Sequence, residues 1–300
     1  MLFRIRYTTR YAYEQPASDS RNELRVCPSD SRDQKRLDFR LQVTPSASIS
    51  EHRDDFGNLA HSVSVAESHN ELTIVADSIV HRIELPPERG PHTTFSEYLR
   101  RDAARTEQYG QFLRESRYVP FSPKLRTFFW SARPSMEEDV TNYTERMISY
   151  VRGQFGYDRG TTHVHSTVDD ILSSGGGVCQ DFAHLNIGLL RLSGIPTRYV
   201  SGYVAPRLSN NPNRLPVELA SHAWIEVMLP GVGWTGFDPT YRSRTTAHHI
   251  SVAVGRDYSD VPPVCGFYKS SGGHRKMTLE LRVEQTNDLE LPPAPSTPDL

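Results

Sequence analysis

The chain has 300 residues, 37% hydrophobic and 23% charged, with 34 Lys and Arg against 36 Asp and Glu for a net charge of −2. Such a composition can bury a substantial core, and its near-neutral balance removes the electrostatic case for a nucleic-acid partner. No stretch approaches the roughly 18 to 20 apolar residues of a membrane span, the arginine-broken start Met1-Leu-Phe-Arg-Ile-Arg-Tyr7 lacks the apolar segment of a secretion signal, and the three widely spaced cysteines, Cys27, Cys179 and Cys265, form neither a disulfide framework nor a cysteine-rich zinc site. A cytoplasmic protein is therefore expected, with no membrane partner.

In chain order, Phe3, Ile5 and Tyr7, then Leu37, Phe39, Leu41 and Val43, then Val63 and Val65, then Leu72, Ile74 and Ala76 alternate with polar residues. Period two predicts half-buried antiparallel strands over residues 1–85, with a turn at Asp54-Asp-Phe-Gly-Asn58. Residues 86–135 read as a connector of one or two helices joined by loops at Pro120 and Pro123. Ser135 to Phe155 reads as a helix capped by Ser135, and Thr167 to Leu172 as a short helix ending in a glycine run. Residues 136–250 read as the core unit of the chain. Residues 251–286 read as loop plus a returning strand near Met277 to Val283, and residues 287–300, rich in proline, as a disordered tail.

The chemistry is concentrated in Ser173-Ser-Gly-Gly-Gly-Val-Cys-Gln-Asp-Phe-Ala-His. Phe182, Leu185, Leu189 and Leu192 form a helical stripe that Gly194 and Pro196 stop. Cys179 therefore opens a buried helix behind a glycine loop, where unpaired N–H groups favour a thiolate. A thiol nucleophile needs a base and the base an orienting group. Ser221-His-Ala-Trp-Ile-Glu-Val and Trp234-Thr-Gly-Phe-Asp-Pro-Thr240 read as a hairpin. Folded symmetrically about Pro230, it sets His222 directly opposite Asp238 on one face; a one-residue slip would separate them. The same residues also suit a plain hairpin with a surface His and Asp. His163-Val-His165 and His248-His249 lack the carboxylate spacing of a metal site and read as exposed loop histidines. No metal or cofactor is expected.

Gly176-Gly-Val-Cys-Gln-Asp-Phe-Ala183, Ser221-His-Ala-Trp-Ile-Glu-Val227 and Phe237-Asp-Pro-Thr240 together resemble the three core motifs of the transglutaminase-like superfamily, and Ile5-Arg-Tyr-Thr-Thr-Arg-Tyr-Ala-Tyr13 with Asp54–Asn58 resembles the β-rich region preceding that core in bacterial members. The resemblance implies an α+β fold: a papain-like core whose cysteine helix packs on an antiparallel sheet, behind an N-terminal β-sandwich-like domain. It implies a catalytic Cys179, His222 and Asp238. The Cys179 N–H is expected as one oxyanion donor; Tyr157 and Gln180 are open candidates for the second, and Trp224 for lining the substrate cleft. The implied reaction is acyl transfer on amide or peptide bonds through a thioester, with a peptide or protein substrate. Hydrolysis is the expected outcome, because Gln180 stands where cross-linking enzymes carry tryptophan. Transamidation, or a non-catalytic scaffold keeping the fold, is the alternative.

Overall fold

The computed structural model describes residues 1–100, 107–205 and 221–291. One long strand, β1 (Leu2–Leu24), organises the first third. Phe3, Ile5, Tyr7 and Tyr11 face inward while Arg6 and Arg10 face water. Its first half lies antiparallel between β5 (His69–Arg82) and β14 (Arg275–Thr286), and its second half between β4 (Leu59–Val65) and β13 (Val264–Lys269). The register shifts between Ala12 and Ala17, and there the strand changes partners. β2 (Gln34–Thr44) extends the first set through β5, and β3 (Ser48–Arg53) the second through β4. The two sets close on each other, with the Phe39 ring 5.2 Å from His61. The register also shifts between Arg36 and Asp38, which turns Leu37 outward while Phe39, Leu41 and Val43 stay on the core face.

The connector contains α1 (Phe95–Leu99), capped by Thr94, and α2 (Pro123–Ala132), capped by Ser122 with Pro123 at its first position. The next helix is shorter than the sequence suggests. α3 runs Val140–Gln154, and its cap is Asp139, whose carboxylate accepts the N–H groups of Thr141 and Asn142, both at 3.0 Å. Asp139 wins over Ser135 because its carboxylate sits next to the first buried residue of the helix, Val140, and reaches two of the free N–H groups.

β6 (Gly156–Tyr157) pairs in parallel with β7 (Gly176–Gly177). Between them α4 (Val168–Ser174) stops at Gly175, whose φ of 76° is open to glycine. α5 (Cys179–Leu192) follows at once and packs on an antiparallel sheet of β8 (Thr197–Val204), β9 (Ser221–Leu229), β10 (Gly233–Asp238), β11 (Ser243–Arg244) and β12 (His249–Gly255), ordered β11-β10-β9-β8-β12. The fold is thus α+β, a helix-on-sheet core beside a β region, as expected.

The loop-like reading after residue 250 is corrected by β12 and β13. Both are short, and their pairing is set by distant strands rather than by local pattern. The tail reading needs correction too. Leu291 is buried and its N–H is bound by the Asp38 carboxylate at 3.0 Å; the rest of that segment lies outside the described residues. No described helix is long and apolar enough to cross a membrane.

Candidate active site

Cys179 is the first residue of α5, as its glycine-rich approach predicts. Gly177 is needed there: a Cβ would come 2.7 Å from an Asp181 carboxylate oxygen. That oxygen accepts the Val178 N–H at 2.8 Å and the Thr162 hydroxyl at 2.6 Å, so the helix is capped beside the sulfur. Burial raises the Asp181 pKa, against the pull of these hydrogen bonds. Every residue from Gln180 to Arg191 is buried. Each apolar side chain among them contributes about 1.5–3 kcal/mol of transfer free energy, so the core fixes where the helix begins. The three thiols differ. Cys179 is half-buried, Cys265 exposed, and Cys27 buried with its thiol pushed up to about 11 by that burial, which outweighs the neighbouring Arg36.

The hairpin carries the other two predicted residues. Leu229 pairs with Gly233 and Ile225 with Phe237, so the turn centres on Gly231, at φ 70°, rather than on Pro230. Continued by one residue, this register sets Asp238 opposite Trp224, two residues from the expected partner. A shift of two preserves the face. His222 is therefore the diagonal neighbour of Asp238, within side-chain reach, and its Nε2 lies 2.8 Å from Asp238 Oδ2. The other carboxylate oxygen accepts the Thr240 N–H at 2.9 Å. Both side chains are buried.

The Cys179 sulfur is the second group, after Asp238, that acts on His222. With Nε2 engaged by Asp238, Nδ1 is the nitrogen left for a second partner. Burial works against a charged imidazole, but the Asp238 carboxylate and the Cys179 sulfur outweigh it and raise the His222 pKa to about 10. Asp238 is held well below the usual carboxylate range, because contacts with His222 and His249 overcome its burial. The arrangement can hold a proton on an imidazole beside a sulfur at neutral pH.

The remaining predicted residues divide. Tyr157 is half-buried, its ring parallel to Phe182 at 6.4 Å; burial, and secondarily the Cys179 sulfur, raises its pKa. Gln180 donates an amide hydrogen to the Val164 carbonyl at 3.0 Å, tying down the preceding loop. Trp224 does not line a cleft. It is 1% exposed, fills the space left by Gly202, and meets His249 edge-on at 5.3 Å. Its alternation with Ile225 put it on the His222 side of β9, where its ring lies over Gly202 of β8 and reaches His249 at the start of β12.

His163 and His165 are exposed as expected, whereas His249 is buried and bonds Asp238 at 3.1 Å. Two further residues escaped the sequence reading. Tyr241 stands 55% exposed with its ring 5.8 Å from His222. Arg191, fully buried at the far end of α5, donates to the carbonyls of Arg114, Thr197 and Arg256 and is lowered to about 9 by burial. Only the Arg at the end of a wholly apolar stripe hinted at it.

Residues 3–81 match the family model described as the bacterial transglutaminase-like N-terminal region, and residues 132–239 match that of the transglutaminase-like superfamily. An uncharacterised Mycobacterium leprae protein is 34% identical over 283 residues, covering 94% of this chain and 98% of its own. An uncharacterised Mycobacterium tuberculosis protein is 32% identical over 293 residues, covering 94% and 92%. A solved Cytophaga hutchinsonii structure, provisionally assigned as a cysteine protease, superposes with a TM-score of 0.70 at 23% identity over 96% of this chain and 92% of that one. Over 77 residues, 25% of this chain and 12% of the other, the chain is 40% identical to a Pseudomonas aeruginosa protein-glutamine gamma-glutamyltransferase. The chain belongs to the transglutaminase-like superfamily, with the N-terminal region of its bacterial members.

Proposed function

We propose that this protein is a cysteine acyl-transfer enzyme that hydrolyses amide or peptide bonds through a thioester on Cys179. The observation that carries the reading is one imidazole, His222, bonded to a buried carboxylate 2.8 Å away and raised in pKa by that carboxylate together with a sulfur at the start of a buried helix. The Cys179 thiolate attacks the amide carbon. The oxyanion forms against the Cys179 N–H, with the Tyr157 hydroxyl the better-placed second donor, since a Gln180 amide hydrogen is spent on Val164. His222 passes its Nδ1 proton to the leaving nitrogen, the carbon–nitrogen bond breaks, and the thioester remains. Water then gives a proton to His222 and its oxygen to the acyl carbon, and the carbon–sulfur bond breaks to release the acid and the thiolate.

Water as acceptor is supported by Tyr241, which is 55% exposed above His222 and leaves that flank wet. An amine prevails over water at about 55 M only when a site concentrates it. The alternative, transamidation, is supported by the 77-residue likeness to a gamma-glutamyltransferase. A peptide library incubated with a millimolar primary amine and weighed by mass spectrometry decides. Free acid is expected; dominant amide adducts would make the protein a transamidase, and no product with Cys179 inert to iodoacetamide would leave a scaffold. A cytoplasmic setting is the reading in keeping with three free cysteines.

A further inference from the structure

Asp238 is served by a second imidazole that the reaction above does not use. His249 Nε2 lies 3.1 Å from Asp238 Oδ2, the oxygen that also takes the bond from His222. The other ring nitrogen of His249, Nδ1, accepts the N–H of Thr246 at 3.1 Å. An acceptor nitrogen carries no proton, so the ring proton sits on Nε2 and points at the carboxylate. His249 is 5% exposed, with the edge of Trp224 against its face. The expectation of an exposed loop histidine is corrected here: the ring is held inside by the docking of β12.

His249 opens β12, whose outer edge is finished by the N-terminal β region rather than by another strand. Gln34 exchanges two hydrogen bonds with the backbone of Ser251, at 2.7 and 2.9 Å, and Asn58 does the same with Val254, at 2.7 and 2.8 Å. The turn leading into the strand is held by Arg82, which donates to the Thr246 carbonyl at 3.3 Å, and by Glu84, which accepts the Ala247 N–H at 2.9 Å. The groups that meet at Asp238 are thus His222 from β9, His249 from β12 and the Thr240 N–H, with Cys179 and Tyr241 reaching it through His222.

We propose that His249 is a positioning residue for Asp238: its Nε2–H fixes the carboxylate in the orientation that holds His222 against Cys179, and the N-terminal β region keeps His249 in place. The proposal rests on the acyl-transfer reading, so the test uses Cys179 reactivity and carries a control for that reading. The rate of iodoacetamide labelling at the Cys179 peptide is followed by mass spectrometry at pH 7 in the full chain. His249→Gln keeps an N–H at the reach of Nε2; His249→Asn, one methylene shorter, does not. Orienting partners behind a histidine are worth about 10- to 100-fold in the better-studied metal sites. His249→Asn and His249→Phe should therefore label about tenfold more slowly than the wild type, and His249→Gln within about twofold of it. Circular dichroism and the melting temperature of each variant are recorded alongside, because an unfolded chain leaves Cys179 an ordinary thiol that also labels slowly at pH 7, and only variants that keep the wild-type fold are compared. Equal rates for Gln and Asn would overturn the proposal even if the Phe variant does not fold. His222→Ala labelled alongside must also be slow; if it matches the wild type, the acyl-transfer reading itself is at fault.

Discussion

His222 keeps its proton through the neutral range because the carboxylate and the sulfur outweigh its burial. In the proposed reaction its proton is then in place for the leaving amine, and replacing it should cost more than replacing the residue that only orients it. His222→Ala is expected to lower kcat/KM by about ten thousandfold, and Asp238→Ala by about ten- to a hundredfold less than that. Matching losses below about tenfold would remove both from the mechanism. The raised pKa also makes a statement about stability. A histidine near 6.5 when unfolded and about 10 when folded contributes fully below pH 6.5, and loses that contribution as pH climbs toward 10. The advantage of the wild type over His222→Phe in urea melts should shrink across that window; a difference that stays flat would mean that His222 does not exchange its proton as described. Asp238, lowered instead, contributes above the usual carboxylate range and loses its contribution as acid is added.

At the level of elements, the glycines separate by what surrounds them. A Cβ at Gly202 would stand 2.3 Å from both the Trp224 ring and the Ile250 carbonyl, whereas at Gly153, in α3, it would meet nothing within 4 Å. Gly153→Ala should raise stability by about 0.5–1 kcal/mol. Gly202→Ala should lower it by about 1–3 kcal/mol or more, through overpacking under the two imidazoles. Chemical denaturation of both variants checks the pair, and equal effects would mean that the sheet yields at Gly202. The same contrast shows what could be read without coordinates. The cysteine helix and the parity of the hairpin were legible, because a 3.6-residue stripe and a two-residue alternation are local. The hairpin register was missed by two, since the left-handed Gly231 and not Pro230 sets the turn. His249 was missed because its contact with Asp238 depends on where an edge strand docks, which no local pattern encodes. Trp224 was misplaced for the same reason.

Across the whole molecule, the last described residues contribute to the fold rather than trailing from it. Cutting the chain after Thr286 removes Leu291, 8% exposed and bonded to Asp38, and should cost about 1–3 kcal/mol; an unchanged melting temperature would show that the contact is idle. A larger consequence follows from the side-chain amides of Gln34 and Asn58 on the edge of β12. Through them, and through the return of β13 and β14 to β1, the two halves are expected to share one opening event. If the β region peeled away first, Ser251 and Val254 would lose their partners while the rest of the sheet stayed closed. With one shared opening event, the backbone amides of these two residues should instead resist deuterium exchange as long as those of Ile225 and Val227 in the sheet centre, and calorimetry should record a single peak. Early exchange at Ser251 and Val254 alone would mean two cooperative units. Joint exchange would mean that the N-terminal region is no detachable module, and that a lesion in its strands far from Cys179 is felt as a change in the lifetime of the whole protein.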